Sequence, residues 1–251
     1  MNKNMIVFKN VNKSFPLYHR IIVGIKKFVF NLPEALRAIK SGRYETLQDI
    51  SFSVEQGESI GIIGRNGAGK STTLGLIAGV IKCSFGSIEI NGRVAPLLEL
   101  GAGFHHELTG RENIVLNGVL LGLNISQVKE RMASIIEFSE LGSFIDEPIR
   151  VYSNGMLARL GFSVAAHLDF EILLIDEVLG VGDQQFKDKC YKKILGFKKR
   201  GTTIVFVSHS MQEIEKICDR VIWIDEHKIR LQGTPREVVN AYEQFQQSSV
   251  T

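Results

Sequence analysis

The chain has 251 residues, 44% of them hydrophobic and 23% charged, with a net charge of only +3 at neutral pH. That length buries a large core as one domain, and the near-neutral balance singles out no charged partner. No run of about 18 apolar residues occurs, so no segment is expected to span a membrane. The three cysteines, Cys83, Cys190 and Cys218, are odd in number and far apart. They lack metal-ligand spacing, which points to a reducing cytosol. Met1 to Asn10 carries charges within a short strand pattern, so no secretory signal is expected.

Met5-Ile6-Val7-Phe8 and Val11 predict a first strand. Phe15 follows it, just before Pro16, where an aromatic ring either stacks on an adenine or closes the strand edge. Residues 16 to 45 then interrupt the strand pattern with six basic side chains against two acidic ones, a local charge of +4. Ile21, Ile22, Ile25, Phe28, Val29, Leu32 and Leu36 recur at spacings of three and four, and Asn31 and Pro33 divide them into two short helices. This basic amphipathic insertion either lies near a membrane surface or membrane partner, or packs on the domain with a solvated face. Leu47 to Val54 predicts a strand, and Ser59 to Ile63 another.

Gly64-Arg65-Asn66-Gly67-Ala68-Gly69-Lys70-Ser71 follows that strand and opens a helix through Thr72 to Ala78. It matches G-x-x-x-x-G-K-[ST] in the strand–loop–helix context that the motif requires. The glycines let successive N–H groups point inward around phosphate oxygens, and the helix N-terminus adds positive potential. Lys70 reaches the outer phosphates, and the Ser71 hydroxyl can hold Mg²⁺. Gly64 to Thr72 is therefore the expected nucleotide-binding segment.

Gly86 to Gly92 predicts a strand closed by an Asn-Gly turn. Residues 93 to 160 read as helical, with Val115 to Leu123 and Val128 to Leu141 as periodic segments, the second capped by Ser126. His105 and His106 read as surface-loop residues. Continuous apolar runs return at Ile172 to Asp176, Thr203 to Val207 and Val221 to Ile224, as in strands covered on both faces. This order predicts an α/β fold with a mostly parallel sheet and a helical insertion, all in one domain. Gln244 to Thr251 reads as a frayed polar tail.

Asp176 ends a buried strand, at the carboxyl edge where open α/β sheets bind ligands. It suits a Mg²⁺-holding role, and Glu177 beside it suits the base that deprotonates the attacking water. His209 ends the next buried strand and can donate to a γ-phosphate oxygen.

Together these segments resemble the ATP-binding subunits of ABC transporters over most of the chain. The discriminating loop is Tyr152-Ser153-Asn154-Gly155-Met156, 23 residues before Asp176. It keeps the Ser and second Gly of the family's Leu-Ser-Gly-Gly-Gln signature and has Met156 in place of the Gln. The resemblance implies a P-loop NTPase (RecA-like) core, an N-terminal antiparallel β part and an inserted helical subdomain over about 93–160. It also implies that Ser153, Asn154, Gly155 and Met156 bind the γ-phosphate of ATP held by a second copy, in a head-to-tail dimer. Gly182-Asp183 matches the loop that communicates between the two sites. The family's Mg²⁺-contacting Gln has no counterpart between Thr72 and Ser126, and Glu99 is the candidate for that position.

A closer resemblance is to the polysaccharide-export branch, the ATPases of O-antigen, teichoic acid and capsule export. It rests on Leu97 to Phe104, on Leu108 to Asn113, on the run Asp176 to Asp183, and on the insertion at 16–45. The resemblance implies ATP and Mg²⁺ as ligands, an integral membrane permease as partner, and a lipid-linked glycan as cargo. It places the protein peripherally on the cytoplasmic face of a bacterial inner membrane, with no nucleic-acid partner. Some members carry a further carbohydrate-binding β-sandwich of about 100 residues. Only nine residues follow Tyr242, so none is expected here. A DNA- or ribosome-directed ABC ATPase would more usually show two cassettes or an extended basic surface. A P-loop kinase would not need Ser153 to Met156, and a GTPase would show an Asn-Lys-x-Asp segment.

Overall fold

The computed structural model describes residues 3–16, 42–97, 101, 103–176 and 183–248. Most of the basic insertion, Glu99 and Glu177 to Gly182 lie outside the described residues, and so do the expectations attached to them.

Two long strands, β1 (Asn4–Pro16) and β2 (Arg43–Glu55), pair antiparallel, and β4 (Phe85–Ile90) pairs with the other edge of β1. β2 starts four residues earlier than its apolar pattern suggests, and Pro16 and Arg43 are direct cross-strand partners. The basic insertion therefore leaves and re-enters at the open end of one hairpin.

The central sheet has six strands in the order β5 (Val94–Leu97), β6 (Ile172–Asp176), β7 (Thr203–Val207), β3 (Ser59–Ile63), β8 (Arg220–Asp225) and β9 (Lys228–Gly233). All neighbours run parallel except β9, which turns back on β8. The continuous apolar strands are buried on both faces, as their composition requires. Val94–Leu97 corrects the reading of residues 93–160 as helical throughout, because four residues are too short to show a strand period.

One face of this sheet packs on α1 (Lys70–Ile77) and on the antiparallel sheet, through Leu74, Ile77, Phe8, Ile50 and Leu47. The other face is covered by α4 (Asn154–Ala165), α5 (Gln184–Lys199), α6 (Met211–Ile217) and α7 (Pro235–Ser248). α2 (Gly110–Leu120), α3 (Ile125–Ser139) and the start of α4 surround a separate small core of Ile114, Val128, Ile135, Ile149 and Leu160.

Two end assignments differ from the sequence expectation. Asn124, not Ser126, caps α3: its side chain accepts from Gln127 N–H, and the Gln127 side chain accepts from Asn124 N–H. That reciprocal box satisfies two orphan donors, whereas Ser126, two residues further on, turns its hydroxyl to Glu130 Oε1. Gln244 to Ser248 belongs to α7 rather than to a frayed tail, because Phe245 anchors that turn against Trp223 with ring centroids 5.3 Å apart. Among the described residues, no helix is long and apolar enough to cross a membrane.

Candidate active site

The parallel register aligns three strand ends. Asp176 pairs with Val207 across β6 and β7, and Val207 pairs with Ile62 across β7 and β3. Asp176, the turn Ser208-His209 and the loop after Ile63 thus emerge at one edge. That shared edge is why segments separated in sequence, the loop after Ile63 lying more than 100 residues before Asp176, can act on one ligand.

The loop itself is held by close packing. A Cβ on Gly64 would stand 2.1 Å from the Ile224 carbonyl oxygen, so only glycine lets the loop lie against β8. Gly69 has φ +109° and serves as the N-cap of α1. A Cβ there would meet Leu47 Cδ2 and the Thr46 carbonyl oxygen, both at 2.6 Å. The Lys70 ammonium donates to Gly64 O at 2.8 Å and Arg65 O at 3.1 Å, which folds its charge back over the loop. Thr73 Oγ1 donates to Gly69 O at 3.0 Å and fastens the first turn.

A cavity of about 360 Å³ opens over this loop. Phe15, Asn66, Gly67, Gly69, Lys70, Ser71, Thr72, Asp176 and His209 line it, and Tyr44, Thr46 and Val207 complete the wall. The structure so brings together the phosphate loop, the strand-end carboxylate, the strand-end histidine and the aromatic predicted at the base position. Phe15 is half-exposed, with the Lys13 ammonium 4.6 Å from its ring centroid. Arg65 points away to α7, its guanidinium 4.9 Å from the Phe245 ring centroid. The turn carrying His209 is fixed by its neighbours: Ser210 N donates to Ser208 Oγ at 3.0 Å, and Ser208 Oγ donates to Glu213 Oε2 at 2.9 Å.

The residues fit a nucleotide with its Mg²⁺. Gly67 has φ +82° and faces open space, with only the Tyr44 hydroxyl within 4 Å of a built Cβ. Thr46 Oγ1 is buried at the cavity wall without a hydrogen-bond partner. Ser71 and Asp176 supply a hydroxyl and a carboxylate to the same cavity, a hard oxygen donor set suited to Mg²⁺.

Ser153, Asn154, Gly155 and Met156 do not line this cavity. Ser153 is the N-cap of α4 and accepts from Met156 N at 3.2 Å, while Met156 packs its side chain into the small helical core. Just before them, Tyr152 is buried and donates to the Phe144 carbonyl oxygen at 2.6 Å. Burial pushes its phenol up to about 12. Further along α4, Arg159 donates to Glu140 Oε2 at 3.1 Å and to Asp183 Oδ2 at 2.5 Å. Asp183 in turn caps α5, accepting from Phe186 N at 2.9 Å. The helix that the signature loop opens is thus tied to the residue that follows Gly182. His105 and His106 are exposed in the loop before α2.

A family model described as ABC transporter matches residues 47–180. The chain belongs to the ABC transporter family. An O-antigen export system ATP-binding protein RfbB from Klebsiella pneumoniae is 58% identical over 96% of this chain and 98% of its own. A teichoic acids export ATP-binding protein TagH from Listeria monocytogenes is 43% identical over 98% of this chain and 72% of its own. Among solved structures, a dimeric ATP-binding cassette in a post-hydrolysis state with ADP and phosphate superposes with a TM-score of 0.72 at 18% identity. It covers 92% of this chain and 99% of its own. An ATP-binding subunit of an ABC transporter gives a TM-score of 0.74 at 21% identity, over 95% of this chain and 93% of its own. The α/β cassette fold read from the sequence is therefore established, including its antiparallel part.

Proposed function

We propose that this chain is the ATP-hydrolysing subunit of an exporter that moves a lipid-linked polysaccharide, an O-antigen, through a separate membrane permease. The observation that carries the ATPase reading is the single cavity shared by the phosphate loop, Asp176, His209 and Phe15. The near-full-length likeness to O-antigen export proteins supports the cargo class, and 58% identity there against 43% to a teichoic acid exporter favours O-antigen.

In this reading the loop amides and Lys70 hold the phosphates. Ser71 and Asp176 hold Mg²⁺, which neutralises charge on the phosphate oxygens. Glu99 is the candidate second acidic contact, and Glu177 takes the proton of the attacking water. His209 reads the γ-phosphate, and Phe15 stacks on the base. Ser153 and Gly155 of a second copy, at a helix N-terminus, close the site head to tail. The protein works at the cytoplasmic face of a bacterial inner membrane, and nucleic acid is not a partner.

Static light scattering of Glu177→Gln with MgATP tests this. A monomer-to-dimer shift is expected, abolished by adding Ser153→Arg. A variant that binds ATP yet stays monomeric at high concentration would overturn the head-to-tail site. Steady-state hydrolysis by the parent should exceed that of Glu177→Gln by ~10²–10⁴-fold, the usual contribution of a positioned base.

A further inference from the structure

Ser153 and Gly155 can serve a second copy only if the loop that carries them is held at a fixed height. Tyr152 and Ser153 are both extended, with ψ 143° and 161°, so their side chains leave the chain on opposite sides. Ser153 is exposed, whereas Tyr152 is buried in the small helical core with Ile114, Ile145 and Ile149. The depth at which the Tyr152 ring seats therefore sets how far the Ser153 hydroxyl stands out. That depth is fixed from two sides. The Tyr152 hydroxyl donates to the Phe144 carbonyl oxygen at 2.6 Å, within the single turn Gly142–Asp146. Burial pushes the phenol up to about 12, so the hydroxyl stays a donor at neutral pH. On the other side stands Gly110, the first residue of α2, where any Cβ would collide with that hydroxyl, with Ile145 next at 3.0 Å. Gly110 is not in the left-handed region, so its close neighbours, and not its backbone, ask for glycine.

A brace surrounds this socket. Asn113 is fully buried, and its amide donates to the carbonyls of His105, Leu108 and Thr109 while accepting from His105 N at 2.7 Å. The loop before α2 is stapled by these bonds and zipped to the chain that leads into Tyr152. Ile149 N donates to Leu108 O at 3.0 Å, Arg150 N to His106 O at 3.1 Å, and Gly110 N to Glu147 O at 3.2 Å. The phenol is the side chain that pins this braced segment to the start of α4. A leucine, which opens the family's signature, would fill the core there without being able to make the bond to Phe144.

We infer that Tyr152 is a positioning residue for the signature loop: its hydroxyl, seated between Gly110 and the Phe144 carbonyl, holds Ser153 and Gly155 where they meet the γ-phosphate of ATP bound to a second copy. This rests on the head-to-tail reading above and names the side chain that makes the loop competent to act in trans. Tyr152 does not line the nucleotide cavity, so it acts on the nucleotide of the second copy and not on that of its own chain.

In the Glu177→Gln background, light scattering against MgATP concentration reads pairing, and calorimetric binding of ATP without Mg²⁺ reads the chain's own site. Tyr152→Phe keeps the ring and removes the hydroxyl. It should need about 2- to 10-fold more MgATP to reach half-dimer, the span of one neutral hydrogen bond, with calorimetric ATP affinity unchanged. Gly110→Ala presses on the same hydroxyl from the other side and should shift pairing in the same direction. Adding Tyr152→Phe to Gly110→Ala should shift it no further, because both act on one contact. Asn124→Ala is the structural control: it loses a cap of the same subdomain away from the loop, so its melting temperature should fall while it pairs like the background. Equal shifts in pairing from Asn124→Ala and Tyr152→Phe would assign the effect to subdomain stability and overturn the inference. A Tyr152→Phe variant that pairs like the background would overturn it too, as would additive shifts from Gly110→Ala and Tyr152→Phe. If the Glu177→Gln background itself binds ATP and stays monomeric, the head-to-tail reading falls and takes this inference with it.

Discussion

Gly69 is one of two glycines, with Gly64, whose close approaches set the position of the phosphate loop. Its left-handed backbone and the two contacts at 2.6 Å leave no room for a methyl group. Gly69→Ala should lower stability by at least about 1 kcal/mol and abolish ATP binding, read by thermal unfolding and calorimetry. Gly142→Ala is the matched control. Gly142 also has positive φ, +57°, but nothing stands within 4 Å of the added carbon. That variant should pay the backbone term alone and bind ATP normally. Lys70 offers a complementary test of charge. Lys70→Ala should leave the fold in place and cut turnover by about 10²–10³-fold, as loss of one preorganised donor does. At this scale the sequence was informative where a residue's place in the cavity follows from spacing along the chain: Asn66, Gly67 and Gly69 to Thr72 in the loop, Asp176 at a strand end, His209 at the next. Tyr44 and Thr46 were invisible, because their approach to Gly67 and Gly69 arises from the β1–β2 pairing and the seating of Leu47 on the loop. Neither leaves a pattern in the sequence of β2.

Helix ends show how small a signal decides an element. α3 begins at a reciprocal Asn124–Gln127 box, and α2 at an equivalent Thr109–Glu112 box. Asn124→Ala should destabilise the helical subdomain by about 0.5–2 kcal/mol, whereas Ser126→Ala should be nearly silent, which denaturant titration of the two variants separates. Both residues are good caps by type, and the Gln three positions after Asn124 chooses between them. α7 makes a second point. Its apolar positions Val238, Val239, Tyr242 and Phe245 form one stripe, which a polar C-terminal composition conceals. Phe245 sits between two guanidiniums, Arg230 at 4.0 Å and Arg65 at 4.9 Å from its ring centroid. The last helix is thereby coupled to the loop whose Arg65 carbonyl holds Lys70. Phe245→Ala should weaken ATP binding several-fold through that loop, with Trp223, the only tryptophan in the chain, reporting the loosened packing as a red-shifted emission.

The molecule as a whole consists of a sheet domain and a helical unit with its own core, joined in part by ion pairs. Glu140, at the end of α3, accepts from Lys189 of α5 at 2.6 Å and from Arg159 of α4, while Arg159 also reaches Asp183 at the start of α5. The Lys189 hydrogen bond holds the Glu140 carboxyl below its ordinary value, and the Phe186 amide does the same for Asp183. Carboxyls depressed in the folded state stabilise it fully above their ordinary values of 4.5 and 3.8, and that contribution is lost as pH falls through the depressed values. The Glu140 pairs are partly solvated, so they are worth about 1 kcal/mol or less, which for a chain of this size is at most about 2–4 °C in Tm. Calorimetric melting of the parent and Glu140→Gln should show a gap that is constant from pH 7 to about 5. It should begin to narrow below about 4.5 and close as pH falls through the depressed folded value, where the parent's carboxylate takes up a proton and the two proteins become alike. A gap that did not narrow at all below about pH 4.5 would assign Glu140 to packing rather than charge. The same junction joins the helix opened by Ser153 to the residue after Gly182, so under the proposed head-to-tail pairing, weakening it bears on ATP-driven dimerisation as well as on melting. Glu140→Gln in the Glu177→Gln background should need more MgATP to reach half-dimer in light scattering than Glu177→Gln alone. The difference should shrink in 1 M salt, where the screening length falls to about 3 Å.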